Sequence, residues 1–451
     1  MGRVARGGAE GASGLEAFWN LERFLSAAAS ERLGMAEIER GSEQRGREIV
    51  RALLQAHLDG RGDGDVGPAI VLAGPGGAVR LGHRRSHTRR LLTLFGEVTV
   101  TRVGYGAPGH DSVHPLDAEL QLPARAYSYE ICRRLVRAAV CGPFDEAVAL
   151  VADTTGVAIP KRSAEQLVLE AAADFNAFYA SRATAEVAVG DGEVLVGAID
   201  GKGIPMVKPE GATRTVRLGK GKKRNKKRMA TVGAVFAQAP LVRSPEAVVE
   251  SLFSHPAQPP EPRPPRQRPA HKRVWASLLA GKDTFIADVK AEMTRRDPAQ
   301  DHPWVIVTDG ERALQKRVGA LFEDVTLVLD LLHVLEKLWA VAYVFHPEGS
   351  PQAEAFVRQR ALRILSGQVS GVVQGLRQMV TKRQLKGTKA KTLLDVAGYY
   401  YRNRSRMRYD HYLSKGWPIA SGSVEGACKN LIKDRMERSG MRWTPEMAEA
   451  M

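Results

Sequence analysis

Cysteine is scarce in this 451-residue chain: Cys132, Cys141 and Cys428 are the full set. They have no paired spacing, which excludes a disulfide framework and a thiolate zinc ribbon and fits a reducing compartment. Long apolar runs are missing too; none approaches the ~18 residues of a membrane span. The amino-terminal stretch MGRVARGGAEGASGLEAFW is interrupted by Glu10 and Glu16, where a signal peptide keeps an unbroken apolar core. The expectation is a cytoplasmic protein with no membrane partner. Neither a GxxxxGKS/T phosphate loop nor a GxGxxG fingerprint occurs, and AGKD at 280–283 lacks the first glycine, so ATP-driven and hydride-transfer chemistry fall away. Acidic charge is outnumbered. With 50 Asp and Glu against 66 Lys and Arg, the net charge of +16 points to a polyanion partner, nucleic acid first.

The length, about three times a typical domain of ~150 residues, predicts two to four domains. Residues 15–58 carry apolar positions at helical spacing, among them Leu15, Phe18, Leu21, Leu25, Ile49 and Leu53, with Gly60, Gly62 and Gly64 as a stop. LLTLFGEVTVTRVGY, from Leu91 to Tyr105, is rich in Thr and Val around Gly96 and reads as a β-hairpin. Residues 128–171 return to helical spacing. Within them FDEAVALVADTTGVAIPKRSAEQLV places a short turn between two helices, a helix-turn-helix pattern except that Arg162 stands where an apolar residue is expected. An ordinary three-helix packing unit explains the segment equally well. From 194 onward the texture is α/β: VLVGAID, MATVGAVFAQ, WVIVTDG and VTLVLD are short Val-rich runs of buried strands. Seven prolines between 256 and 269 mark a surface excursion, and 331–400 reads as a helical block broken at 347–350.

Asp200 closes VLVGAID and Asp309 closes VIVTD, each followed by glycine, so both carboxylates stand at carboxyl ends of buried strands, where sites form in open α/β sheets. The 21 residues from Asp309 to Asp330 suffice for a helix and a right-handed crossover into a parallel neighbour. Each aspartate taken singly is also an ordinary helix N-cap. A third acid, Glu425, falls in the first turn of a helix that Ser421 or Ser423 can cap, with Val424, Ala427, Cys428, Leu431 and Ile432 on its apolar face. Hard oxygen ligands without a cysteine pair suit Mg²⁺ or Mn²⁺. Two such ions would clamp an in-line displacement at a phosphodiester. Asp330 and His333 form an Asp-x-x-His step that either contacts phosphate or merely caps and packs the following helix. Arg214, Arg217, Lys220, Lys222, Lys223, Arg224, Lys226, Lys227 and Arg228 form a basic run with no acid beside the first strand, and read as DNA contacts. His83, His87, His110 and His114 make two pairs at four-residue spacing, for which surface histidines are the default reading over zinc.

The segments AIDGKGIPM, KKRMATVGAVF, VTDGERAL, LDLLHVLEKLW, MRYD and PIASGSVEGACKNLIKDRMERSGMRWT resemble, in order and context, the ISKra4 family of bacterial insertion-sequence transposases, and more loosely the Mutator-type enzymes. The likeness runs from about residue 45 to the end. It implies a DDE catalytic domain of the ribonuclease H-like fold at 191–451, interrupted by a helical insertion at about 340–415. Helices at 1–90 and a β-hairpin with a helix-turn-helix-like DNA-binding region at 91–190 precede it. It implies catalytic and metal-binding roles for Asp200, Asp309 and Glu425, auxiliary roles for Asp330 and His333, and two Mg²⁺ or Mn²⁺ ions. The partners it implies are double-stranded DNA, as element terminal repeats and target, with a homo-oligomer assembled on it. Two departures stand out: GYGAPGHDSVHPLD lacks the cysteine pairs that relatives often show there, and the chain stops at Met451 inside TPEMAEAM where relatives continue, as expected of a truncated copy. A non-catalytic DNA-binding derivative and a structure-selective nuclease of the same fold are the rival readings.

Overall fold

The computed structural model describes residues 7–74, 77–182, 188–208, 227–253 and 269–451. It divides into two units, Met1–Phe175 with Ala450–Met451, and Asn176–Glu449. The region expected at 1–90 and that expected at 91–190, as far as Phe175, therefore belong to one unit. Among the described residues, no helix is long and apolar enough to cross a membrane.

In the first unit, α1 (Gly7–Ser26) and α2 (Met35–Gly60) are the two expected helices, and they pack along each other. A ribbon of β1 (Ile70–Gly74) and β2 (Gly77–Leu81) follows, which the helical reading of 1–90 missed. The expected hairpin is longer than its Thr/Val-rich heart: β3 (His83–Thr93) and β4 (Gly96–Ala107) pair along their full length, and β5 (His110–Val113) joins β4. Gln55 of α2 donates to the Thr99 carbonyl at 2.8 Å and accepts from its N–H at 2.7 Å, so a side-chain amide satisfies β4 where β5 does not reach. Beyond α3 (Pro115–Glu119), α4 (Tyr129–Cys141), α5 (Phe144–Thr155) and α6 (Lys161–Ala172) bury Ile131, Leu135, Val151, Leu167 and Val168. Gly156 ends α5 in the left-handed region at φ 70°, and Val157 and Ile159 of the connection are buried. Arg162 is exposed because Ala164, Leu167 and Val168 form the apolar face of α6, which removes the conflict seen in the sequence.

α7 (Phe175–Arg182) leads to the second unit, a mixed α/β structure around a five-stranded sheet. Its strands are β6 (Val194–Pro205), β7 (Lys227–Gln238), β8 (Ala270–Ser277), β9 (Trp304–Thr308) and β10 (Thr326–Leu329), with α8 (Pro245–Leu252), α9 (Lys282–Arg296) and α10 (Arg312–Leu321) between them. The order is β10-β9-β6-β7-β8; β6, β7 and β8 are antiparallel neighbours, whereas β6, β9 and β10 run parallel. Strand β8, at one edge, has no counterpart in the sequence reading. Leu195, Ile199, Val235, Trp304 and Ile306 pack one face of the sheet on Phe285, Ile286, Val289 and Met293 of α9 and on Leu314 and Val318 of α10.

After β10 the chain enters a helical block: α11 (Leu331–Phe345), α12 (Pro351–Leu365), α13 (Val369–Lys382), α14 (Gly387–Asn403) and α15 (Tyr409–Ser414). The break at 347–350 is where expected, with Ser350 capping α12 through the Ala353 N–H at 3.2 Å. The block closes on itself at its base, where the Leu331 N–H donates to the Ile419 carbonyl at 2.9 Å. Two fully buried tyrosines pin it: Tyr409 Oη donates to the Leu329 carbonyl and Tyr400 Oη to that of Val334, each at 2.7 Å. The chain then returns as α16 (Gly422–Ala427), a π-helical stretch Cys428–Lys433, α17 (Asp434–Met436) and finally α18 (Pro445–Ala450).

Candidate metal centre at the carboxyl edge of the sheet

Strand register decides where the acids go. Ile199 pairs with Thr308 and Thr308 with Leu329, so Asp200, Asp309 and Asp330 each sit one step past the same row. Asp309 and Asp330 follow the ends of β9 and β10, whereas β6 runs on through Asp200 to Pro205 because β7 continues to pair with it, so Asp200 does not close its strand as the sequence led us to expect. Side chains alternate along a strand. Leu195, Ile199, Ile306 and Leu327 belong to the face covered by α9 and α10, so Asp200, Asp309 and Asp330 all fall on the other one. There α16 packs on β6 and β7 and brings Glu425. Residues separated by more than a hundred positions thus share one edge and one face, as do the three acids that the sequence singles out.

Each acid is held differently. Asp200 accepts the Gly201 N–H at 2.7 Å through Oδ1 and the Cys428 thiol at 3.3 Å through Oδ2. Asp309 accepts the Glu311 N–H at 2.9 Å, and the Gln315 side chain donates to the Asp309 carbonyl at 3.1 Å. Asp330, fully buried, caps α11 through the Leu332 N–H at 2.7 Å and takes both the Ser421 N–H, at 3.0 Å, and the Ser421 hydroxyl on Oδ2. Ser421 occupies the N-cap position of α16 but spends its hydroxyl on Asp330, which the expected local cap did not anticipate. Glu425 is half-buried, and its carboxylate accepts no hydrogen bond from a described residue.

Asp330, His333 and Glu425 offer ligand atoms that all lie within 4.8 Å of one another, a group able to hold a metal ion. The pair read as auxiliary thus stands with Glu425 in one cluster, to which Asp200 and Asp309 do not belong. The cause is the base of the helical block, where the Asp330–Ser421 bonds draw the start of α16 onto the start of α11. A carboxylate has about four lone-pair sites. Asp330 uses three, leaving one on Oδ1 for a cation. Glu437, beyond the end of α17, is bound by the Lys227 ammonium.

The local charge favours a cation. Burial raises the carboxyl of Asp309 above its ordinary range and the charge of Asp200 adds to this, against the Glu311 N–H and His333. Burial likewise raises Glu425, with Asp330 and Asp200 adding to it and His333 opposing. For such acids the folded chain binds more protons than the unfolded one from about pH 4 upward, so their ionisation costs stability as pH rises through their folded pKa values. We expect added Mn²⁺ to raise the melting temperature more at neutral pH than near pH 4, and the gain to shrink in Asp309→Asn/Glu425→Gln. An equal gain at both pH values, followed by circular dichroism, would remove these carboxylates from the cation site.

Two supporting residues escaped the sequence reading. Cys428, counted only on an apolar face, has its thiol pushed up to about 12 by burial and by Asp200, so it is a neutral donor to that carboxylate. It opens the π-helical stretch, an irregularity that often marks functional sites. Tyr399 packs so tightly over Gly310 that a Cβ there would lie 2.1 Å from its ring, which explains the glycine after Asp309. Burial and the charges of Asp309 and Asp330 raise its phenol far above the ordinary value. No local pattern announces Tyr399, since it reaches the site from α14.

No family model and no curated protein matches the chain.

Of the nine candidate DNA contacts, Arg214, Arg217, Lys220, Lys222, Lys223, Arg224 and Lys226 lie outside the described residues. Lys227 and Arg228 open β7; Lys227 is paired with Glu437, so its charge is partly answered within the chain, and Arg228 is exposed. Among the histidines, the structure joins His87 and His114 across the hairpin, ring centroids 5.4 Å apart, and not the sequence-spaced pairs.

Proposed function

We propose that this chain is a DNA transposase whose second unit cleaves and joins DNA strands with divalent cations. The observation that carries the reading is the row of Asp200, Asp309 and Asp330 on one face of the sheet, with Glu425 and His333 beside it. The strand order supports a ribonuclease H-like fold: three antiparallel strands followed by two parallel ones, then a helical block ahead of the helix with the last acid. The motifs that resemble ISKra4-type transposases are the same segments that build this edge.

Asp200, Asp309, Glu425, Asp330 and His333 would hold one or two Mg²⁺ or Mn²⁺ ions. When bound, these supply charge stabilisation for an in-line displacement at a phosphodiester. The chain's own part is to fix the donors. The Asp330–Ser421 bonds join the two helices that carry His333 and Glu425, and Cys428 orients Asp200. From the helical block, Tyr399 covers Gly310 beside Asp309.

The test incubates the full chain with end-labelled duplex carrying any inverted repeats found on either side of its coding sequence, with Mn²⁺, Mg²⁺ or chelator. Metal-dependent nicking at the repeat ends and joining to a second duplex is expected. Cleavage without joining would replace the reading with a structure-selective nuclease, and binding without cleavage with a regulatory DNA-binding protein.

A further inference from the structure

Beside the acid edge, the second unit has a basic cleft whose cations the sequence reading did not single out as nucleic-acid contacts. Its volume is about 630 Å³, and its walls are the first turns of α10 and the stretch 401–406 that ends α14. Arg312, Lys316, Arg402, Arg404 and Arg406 line it, and among the described residues no Asp or Glu does. A second cleft of about 300 Å³ shares Arg406, adds Arg408, and passes the β10 edge to Trp417, again without an acid. The first cleft starts next to the catalytic edge, because its Gln315 donates to the Asp309 carbonyl.

These cations are unanswered. None of the six arginine and lysine side chains forms an ion pair among the described residues, while Arg317 on another side of α10 is paired with Asp283 and neighbouring Glu311 is taken by Lys282. Arg404 is pre-positioned: its guanidinium stacks 4.2 Å over the Tyr401 ring and donates to the Tyr401 carbonyl at 2.8 Å. Like charges gathered in a cleft repel one another, and a polyanion offsets this. Because the cations are spread along two joined clefts instead of converging on one point, they fit a repeating phosphate chain better than a single small anion.

We propose that these joined clefts are the track of a DNA phosphate backbone running from the acid edge past β10. The inference deepens the proposed function, since its ligand is the substrate of the same site, but it concerns binding alone. Each phosphate neutralised contributes about −0.9 to the slope of log K against log salt.

The test is fluorescence anisotropy of a labelled duplex with the full chain in chelator, across a salt series. Lys316→Ala/Arg404→Ala/Arg406→Ala should bind at least tenfold more weakly at low salt, with a slope shallower by roughly 2 to 3. Lys382→Ala/Lys386→Ala/Lys389→Ala removes as much charge from exposed positions on α13, α14 and their connection, and should bind nearly as the parent. Arg404→Lys/Arg406→Lys should keep the parent slope, and matching thermal melts exclude misfolding. Equal losses in both alanine triples, or none in the first, would overturn the track. Cleavage with Mn²⁺ is measured in parallel: a parent that binds through the clefts but never cleaves sinks the catalytic reading and leaves the track standing, and the reverse result sinks the track alone.

Discussion

Asp309→Asn should lose metal-dependent strand cleavage by on the order of a thousandfold or more, because a ligand to the cations contributes several kcal/mol and each ~1.4 kcal/mol is a factor of ten in rate. Asp200→Asn and Glu425→Gln should lose as much. Binding to the same duplex should be unchanged or slightly tighter in chelator, since carboxylates without metal repel phosphate. The geometry adds a sharper comparison. His333→Ala should cost about 10- to 100-fold if the imidazole only supports the ligands, and as much as Asp309→Asn if the cluster of Asp330, His333 and Glu425 is itself the essential cation site. Single-turnover cleavage with Mn²⁺ separates the two. Full activity in Glu425→Gln would take the helix-borne acid out of the site.

Asp330→Ala should destabilise the metal-free protein by about 4–7 kcal/mol. It removes an N-cap worth about 1 kcal/mol and two bonds to a charged acceptor worth about 1.5–3 kcal/mol each, leaving the Ser421 N–H and hydroxyl buried without a partner. Ser421→Ala removes one of these bonds and leaves Asp330 with two backbone donors, so about 1–2 kcal/mol is expected. Urea unfolding in chelator measures both. A loss below 1 kcal/mol in Asp330→Ala would show that the base of the helical block is not held by this carboxylate. The comparison matters for function because Asp330 joins β10 to α11 and α16 at the point where His333 and Glu425 meet.

The strands that bear the aspartates were legible because buried parallel strands are continuous apolar runs, although only the Asp309-Gly310 step ends its strand, β6 running on past Asp200-Gly201 to Pro205. Strand β8 was not: AHKRVWAS at a sheet edge is half-exposed and carries basic residues, so it has no apolar run to find. The β1–β2 ribbon is short and glycine-flanked, and its exposed Val71 and Leu72 give no burial alternation. The basic cleft was hidden for another reason. Four of its cations alternate in RNRSRMR at 402–408, a short basic stretch, but Arg312 and Lys316 join them only through the fold, whereas the conspicuous run at 214–228 includes a lysine whose charge Glu437 answers.

By itself the sequence determined the α/β class of the second unit, the carboxylates at the ends of β9 and β10, the helical block and the excess of positive charge, because each is written in local composition and period. That β6 runs on past Asp200 was decided by its pairing with β7. Only the tertiary structure decided that Asp330 and His333 stand with Glu425, that Ser421 serves an aspartate 91 positions away, and that Cys428 faces Asp200. Those pairings depend on parallel register and on where the helical block closes, and both are set by packing between segments that share no local pattern.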